Sequence, residues 1–235
     1  MSHLNNLGLV RRSLAVLALW PLVGALTTPA QASVLIPGPG EDPPDIFALT
    51  SGLTLLADEN SGTVTSTGGA LTFSVESAVY KDQSNTFGAG DLDFVYQVTN
   101  SVTSPDSIAR VTAINFTGFD TDVGYTTNGA SLTGGIFANG LVAPATVDRV
   151  SPDVVGFSFS TPPNIPISPG LESNVLVIET NATSFTTGAF NVIDGGVATV
   201  NSYEPSVPEP TTGALTIGLL SLGCLRRCRG NSKRR

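Results

Sequence analysis

The stretch Phe190-Asn191-Val192-Ile193-Asp194-Gly195-Gly196-Val197-Ala198-Thr199-Val200 decides the fold class. Two runs rich in β-branched residues flank an Asp-Gly-Gly turn. Asp-Gly and Gly-Gly supply the positive φ angles that a tight hairpin needs. The same grammar recurs upstream. Leu71, Phe73, Val75 and Val79 fall on one face of an alternating run, and Leu92, Phe94, Tyr96 and Val98 form a second, with Asp91, Asp93, Gln97 and Thr99 facing away. Val155, Phe157 and Phe159 alternate again. Val175-Leu176-Val177-Ile178 is apolar throughout, which predicts a central strand covered on both faces. Ile108 to Phe119 is rich in β-branched and aromatic residues but its alternation slips, as at a bulge or in a strand buried on both sides.

Between residues 49 and 203 no segment gathers Ala, Leu, Glu and Lys at a helical period, whereas Thr, Ser, Val and Gly are everywhere. Four prolines (162, 163, 166, 169) make residues 161–170 a loop or an edge segment. No internal repeat of fixed period is present, which argues against a solenoid or propeller. Six or more short strands without helices predict an all-β chain: one β-sandwich domain, jelly-roll or immunoglobulin-like, over residues 49–203. Ahead of it, residues 33–48, with Pro37-Gly38-Pro39-Gly40 and Pro43-Pro44, read as a flexible extended leader.

The two ends read as addresses. Arg11 and Arg12 precede an apolar run from Leu14 to Leu26, and Ala30-Gln31-Ala32 offers small residues for cleavage before Ser33. Residues 1–32 therefore read as a secretory signal peptide, handled by the general secretion machinery. At the other end, a linker over 204–211 carries Val207-Pro208-Glu209-Pro210. A short apolar segment follows over 212–225, and then a basic tail over 226–235 with Arg226, Arg227, Arg229, Lys233, Arg234 and Arg235. As a helix the apolar segment would be about 21 Å long, short against a bilayer core of about 30 Å. The basic end belongs on the cytoplasmic side, leaving what precedes it outside. Cys224 and Cys228 close the apolar segment and read as reduced small residues.

This order of parts resembles the PEP-CTERM sorting signal of exported bacterial proteins. The resemblance is carried by Pro208, Glu209 and Pro210, the apolar segment and the terminal arginines, and is confined to the last 28 or so residues. It implies processing by a membrane-embedded exosortase, a membrane contact through the C-terminal segment before processing, and a destination at the cell envelope or in extracellular polysaccharide.

Removing both addresses changes the charge balance. The whole chain is at −8, but residues 33–207 hold 18 acidic residues against Lys81, Arg110 and Arg149, a net charge of −15. Such a domain repels nucleic acid and anionic membrane and suits divalent cations. It contains no cysteine and no histidine, since the one histidine is His3, and the one tryptophan is Trp20. A histidine-based triad, a typical zinc site and a thiol nucleophile are thereby excluded from it. It has no G-x-S-x-G elbow and no phosphate loop.

Carboxylates remain. Asp91/Asp93 and Asp120/Asp122 are i, i+2 pairs, whose members share a side if they lie in strands. Ca2+ is the ion such hard-oxygen pairs suit, although neither pair completes an EF-hand: aligned from Asp120, the required glycine falls on Tyr125. The plainer reading is solvated acids on the outer face of a sheet. The chain is thus expected to be a non-enzymatic envelope or matrix protein with no obligatory cofactor. The alternatives are a module binding calcium or polysaccharide and, less favoured, an acid-pair glycoside hydrolase, which wants aromatic sugar platforms that a domain without tryptophan lacks. Processing is directly testable: intact-mass analysis of the mature protein from its native host should find the chain ending near Pro208-Glu209-Pro210, and Arg235 still attached would contradict it.

Overall fold

A computed structural model describes residues 34–49, 52–160, 165–194 and 196–206. The signal cleavage residues Ala30, Ala32 and Ser33, the Val207–Pro210 motif, the apolar segment and the basic tail lie outside them. The described residues are all-β apart from one 3-10 turn at Gly129–Ser131, and none forms a helix long and apolar enough to cross a membrane.

The strands are β1 (Asp45–Ile46), β2 (Leu53–Asn60), β3 (Val64–Thr65), β4 (Thr72–Asp82), β5 (Asp91–Asn100), β6 (Arg110–Ala113), β7 (Thr121–Thr126), β8 (Thr146–Ser151), β9 (Val154–Ser158), β10 (Val175–Thr180), β11 (Phe185–Ile193) and β12 (Val197–Pro205). They form two sheets. The larger runs β1-β7-β10-β5-β4-β2, with β3 also on β4; the smaller runs β12-β11-β6-β9-β8. One apolar cluster takes side chains from both, Phe73, Phe94, Tyr96, Leu176 and Ile178 from the first sheet and Val111, Phe157, Phe190 and Val192 from the second. The sheets therefore face each other across a common core, as in a β-sandwich. Phe94 meets Phe116 edge-on at 5.7 Å between centroids, and Tyr96 stacks on Phe190 at 4.7 Å.

The alternating runs occupy the strands that their periodicity predicts. β10 is buried at every position, between β5 and β7, as its unbroken apolar run requires. β11 and β12 pair along their length, with Ile193 opposite Val197 and Asp194 N donating to Gly196 O. The slipping run from Ile108 holds one short strand, β6, buried at three successive positions as a two-sided strand requires, but the strand does not continue through the run. β6 stops at Ala113, and the chain turns at Asn115, whose φ of 69° is left-handed. Asparagine tolerates that conformation better than most side chains. The segment expected to be a flexible leader is hydrogen-bonded to both sheets: Leu35 N donates to Thr121 O, Asp42 pairs with Val147 of β8, and β1 lies parallel to β7.

The larger sheet also buries part of its outer face. A second, smaller cluster of Ala78, Tyr80, Val95, Val175 and Val177 is roofed by Leu49, Leu132 and Phe137. Tyr80 Oη donates to Thr133 O, and Gln97 holds Ala138 through both ends of its amide. A polar face thus has a lid, so charged side chains on it need not reach water.

Phe94 has no exposed surface, and truncating such a ring leaves a cavity. Phe94→Ala should lower unfolding stability by about 3–5 kcal/mol, against less than about 0.5 kcal/mol for Val102→Ala at an exposed turn. Urea unfolding of both variants measures the difference.

Candidate functional site

On the lidded outer face, at the end of the sheet away from the roof's apolar contacts, carboxylates come from five neighbouring strands. Alternation fixes this. In β5 the residues Leu92, Phe94 and Tyr96 enter the main core, so Asp93, Val95 and Gln97 face out. In β10 Val175 and Val177 face out, and Glu179 follows them. In β4 Ala78 and Tyr80 face out, and Asp82 follows. In β7 Val123 and Tyr125 face in, leaving Asp122 out. Register then aligns them: Glu179 sits opposite Asp93 on one side and opposite Asp122 on the other. β1 brings Asp45 alongside Gly124. A side chain at Gly124 would meet the Asp45 backbone at 2.0 Å, so only glycine permits this approach.

Asp82, Asp93 and Glu179 are the tightest group. Each offers a carboxylate oxygen, and these oxygens lie within 4.8 Å of one another. Asp82 and Asp93 have no exposed surface and Glu179 is 4% exposed. The loop from β4 to β5 folds back over them and binds one oxygen of each. Ser84 N and Oγ both donate to Asp82 Oδ1 at 2.7 Å. Asn85 Nδ2 donates to Asp93 Oδ1 at 2.8 Å, and Thr86 N donates to Glu179 Oε2 at 3.0 Å. Asn85 is itself fixed, because its Oδ1 accepts from Phe87 N and its Nδ2 also reaches Thr180 O. The second oxygens of Asp82 and Asp93 are buried and take no donor from any other residue, and the Asp93 carboxyl hydrogen-bonds to Asp82.

No base compensates these acids among the described residues. Arg110 pairs with Asp148 on the smaller sheet. Arg149 donates to Phe116 O, Pro152 O and Thr121 Oγ1. Lys81 is exposed and alternates to the other face of β4. Ionisation is therefore suppressed. Burial, then the charges of Glu179 and Asp82, push Asp93 up to about 9. Burial, then Asp45 and Glu179, push Asp122 up to about 7. Burial raises Glu179 as well.

Of the four acids singled out from sequence, the structure brings Asp93 into the triad and buries Asp122 beside it. Asp91 stands opposite Asp82 at the strand end, partly exposed and close to Gly88, and is not one of the three. Asp120 precedes β7 rather than lying in it, so it does not share a face with Asp122. It is exposed, and Asn181 Nδ2 donates to it at 3.1 Å. Asp82 and Glu179 were missed, although Glu179 carries a readable signal as a lone carboxylate ending an apolar central run.

A divalent cation is chemically matched to this triad: three hard-oxygen ligands drawn together, with no histidine or cysteine ligand beside them. The remaining concavity of note is a groove of about 230 Å3 lined by Glu59, Asn60, Ser61, Val64, Thr199, Val200 and Asn201. It contains no ring, and no aromatic side chain is exposed among the described residues, so nothing there resembles a sugar platform.

Without a cation, stability should depend on pH with a definite sign. The folded state keeps its proton on Asp93 to about pH 9 and on Asp122 to about pH 7. The unfolded chain releases both near pH 4. Between these limits the folded state binds more protons, so stability falls as pH rises. Thermal unfolding in chelator should show Tm dropping steadily from pH 5 to pH 9; a flat profile would contradict the buried acid group.

No family model matches this chain, and neither the curated proteins nor the solved structures include one similar to it.

Proposed function

We propose that this chain is an exported, non-enzymatic β-sandwich protein of the bacterial envelope or extracellular matrix, whose domain is held together by bound Ca2+. The observation that carries the cation is the buried triad Asp82–Asp93–Glu179, whose oxygens lie within 4.8 Å of one another while a loop binds one oxygen of each acid and no base pairs with them. The export reading rests on the signal-like residues 1–32 and on the resemblance of residues 207–235 to a PEP-CTERM signal, with an exosortase-like enzyme as the processing partner. Ca2+ is favoured over Mg2+ because entering a buried three-carboxylate site means shedding water, which Mg2+ gives up reluctantly. Absence of histidine and cysteine from residues 33–207 favours Ca2+ over transition metals.

The non-enzymatic part follows from chemistry. The triad is roofed by a loop and offers no open cleft, and the open groove has neither a catalytic acid pair nor an aromatic wall. A polysaccharide partner would then be bound through surface polar groups rather than stacked sugars. For the finer fold type, the chain passes repeatedly between sheets, from β5 to β6, back to β7, to β8 and β9, back to β10, then to β11. Such crossings are the Greek-key habit of immunoglobulin-like and jelly-roll sandwiches and support that assignment.

Two thermal-melt measurements test the reading. Millimolar Ca2+ should raise the Tm of the purified protein well above that in chelator, and equal Mg2+ should do less. Asp93→Asn should abolish the Ca2+ response while making the chelated protein more stable at pH 8 by about 1–3 kcal/mol, since a buried carboxyl that the unfolded chain ionises freely is removed. No Tm change with Ca2+ up to 10 mM (on the order of the weakest extracellular sites) would refute it.

A further inference from the structure

We infer that the free edge of β12 is a strand-docking site, which takes an extended peptide segment carrying lysine or arginine at alternate positions. The site does not involve the cation triad and stands independently of it. β12 ends the smaller sheet and pairs on one side only, with β11. In an antiparallel ladder the bonds fall on every second residue pair. Ser206 N donates to Ser184 O at one end and Asp194 N to Gly196 O at the other, in one continuous register. The bonded pairs are therefore those that hold the even-numbered residues of β12. Val197, Thr199, Asn201 and Tyr203 turn their N–H and C=O groups away from β11, off the edge of the sheet. Of these groups only Tyr203 O has a partner among the described residues, the Tyr96 hydroxyl at 2.8 Å.

The other sheet edges among the described residues are guarded. Val34 and β1 lie along β7, and Asp42 pairs with Val147 on β8. β2 is interrupted by a bulge between Leu55 and Ala57, and it carries Asp58 and Glu59. Folded proteins blunt strand edges in these ways. β12 keeps an unbroken register, and from Val197 to Tyr203 it has neither a charged residue nor a proline. A regular, uncharged run with a row of open backbone groups is a template for one more strand.

The groove beside this edge sets the chemistry of the occupant. It is walled by Thr199 and Asn201 on β12 and by Glu59, Ser61 and Val64 from the larger sheet's side. A strand added to β12 would alternate its side chains, sending every second one toward that groove. Glu59 is the charged residue of the wall. Tyr203 Oη donates to Asp58 O at 3.0 Å, which brings the acidic end of β2 against β12. Burial, then the charges of Glu59 and Asp58, raise the Tyr203 hydroxyl, as two carboxylates beside it should. Glu204 adds a third carboxylate at the end of the strand. No base answers them among the described residues: Arg110 pairs with Asp148, Arg149 is held by carbonyls, and Lys81 lies opposite Thr54 at the other end of β2. A cationic side chain therefore suits the groove. A second copy of this chain suits it poorly, since its β12 brings no base and its residues 33–207 bring a further net charge of −15.

Fluorescence anisotropy on the purified protein with Ca2+ present, at an ionic strength of about 0.15 M, tests this. The probe is a labelled peptide of alternating valine and lysine, about seven residues long. It should bind, and its valine–glutamate counterpart should bind at least about tenfold more weakly. Methylating all of its amide nitrogens keeps the charge and removes the strand's donors, and should abolish binding. Asn201→Pro removes an outward N–H and spares the β11 ladder, so it should weaken binding about tenfold. Asn201→Ala should stay within about twofold of the unaltered protein, and circular dichroism checks that both variants are folded. Equal binding of the methylated peptide would reduce the contact to charge alone and overturn the strand site. Unchanged affinity in Asn201→Pro, or no binding of the valine–lysine peptide, would overturn it too. A dimer seen by light scattering and dissociated by Asn201→Pro would overturn the cationic occupant and give the edge to a second copy.

Discussion

Burial of carboxylates without a base to answer them is the constraint on which the rest of this structure depends. Hydrophobic packing explains why two sheets close on each other, but it does not explain why Asp82, Asp93, Asp122 and Glu179 lie inside. Taking a carboxylate out of water is expensive unless it is protonated, paired or bound to a metal. The loop from β4 to β5 satisfies one oxygen from each member of the triad, and the Asp93 carboxyl meets Asp82 where a cation could take the place of the proton. An arrangement of that kind makes sense if positive charge sits between them.

The consequence reaches through the whole domain. The triad's acids come from β4, β5 and β10, the last far from the others in sequence and all adjacent in the larger sheet. An ion bound by them ties together elements that no disulfide can, since residues 33–207 contain no cysteine. A site assembled only on folding converts binding energy into folding energy. On the proposed reading of an exported protein, such a staple would serve as a disulfide does and would ease the net charge of −15 over residues 33–207.

Much of the fold was legible in the sequence because it depends on a period of two. Alternation at 71–79, 92–98 and 155–159, the apolar run at 175–178 and the Asp-Gly-Gly turn each name a strand or hairpin that is present. Periodicity misleads where a backbone conformation intervenes, as near Asn115, since β6 ends at Ala113 while the apolar run continues to Phe119. The site was only half legible. Pairing by i, i+2 spacing found Asp93 and Asp122 but attached them to Asp91 and Asp120, because spacing along one strand says nothing about neighbours across strands. Their true companions, Asp82 and Glu179, are set by register, which a single sequence does not state. The solvated-acid reading fits Asp120, which is exposed, and fails for Asp93 and Asp122, because the β4–β5 loop folds over Asp93 and β1 pairs along β7 beside Asp122.

The most direct measurement is a crystal structure of the protein grown in Ca2+, with anomalous scattering used to locate the ion. The account requires an anomalous peak between Asp82, Asp93 and Glu179, with carboxylate oxygens about 2.3–2.6 Å away. Finding the three acids closed on one another through shared protons at saturating Ca2+, with no peak in the gap, would contradict it.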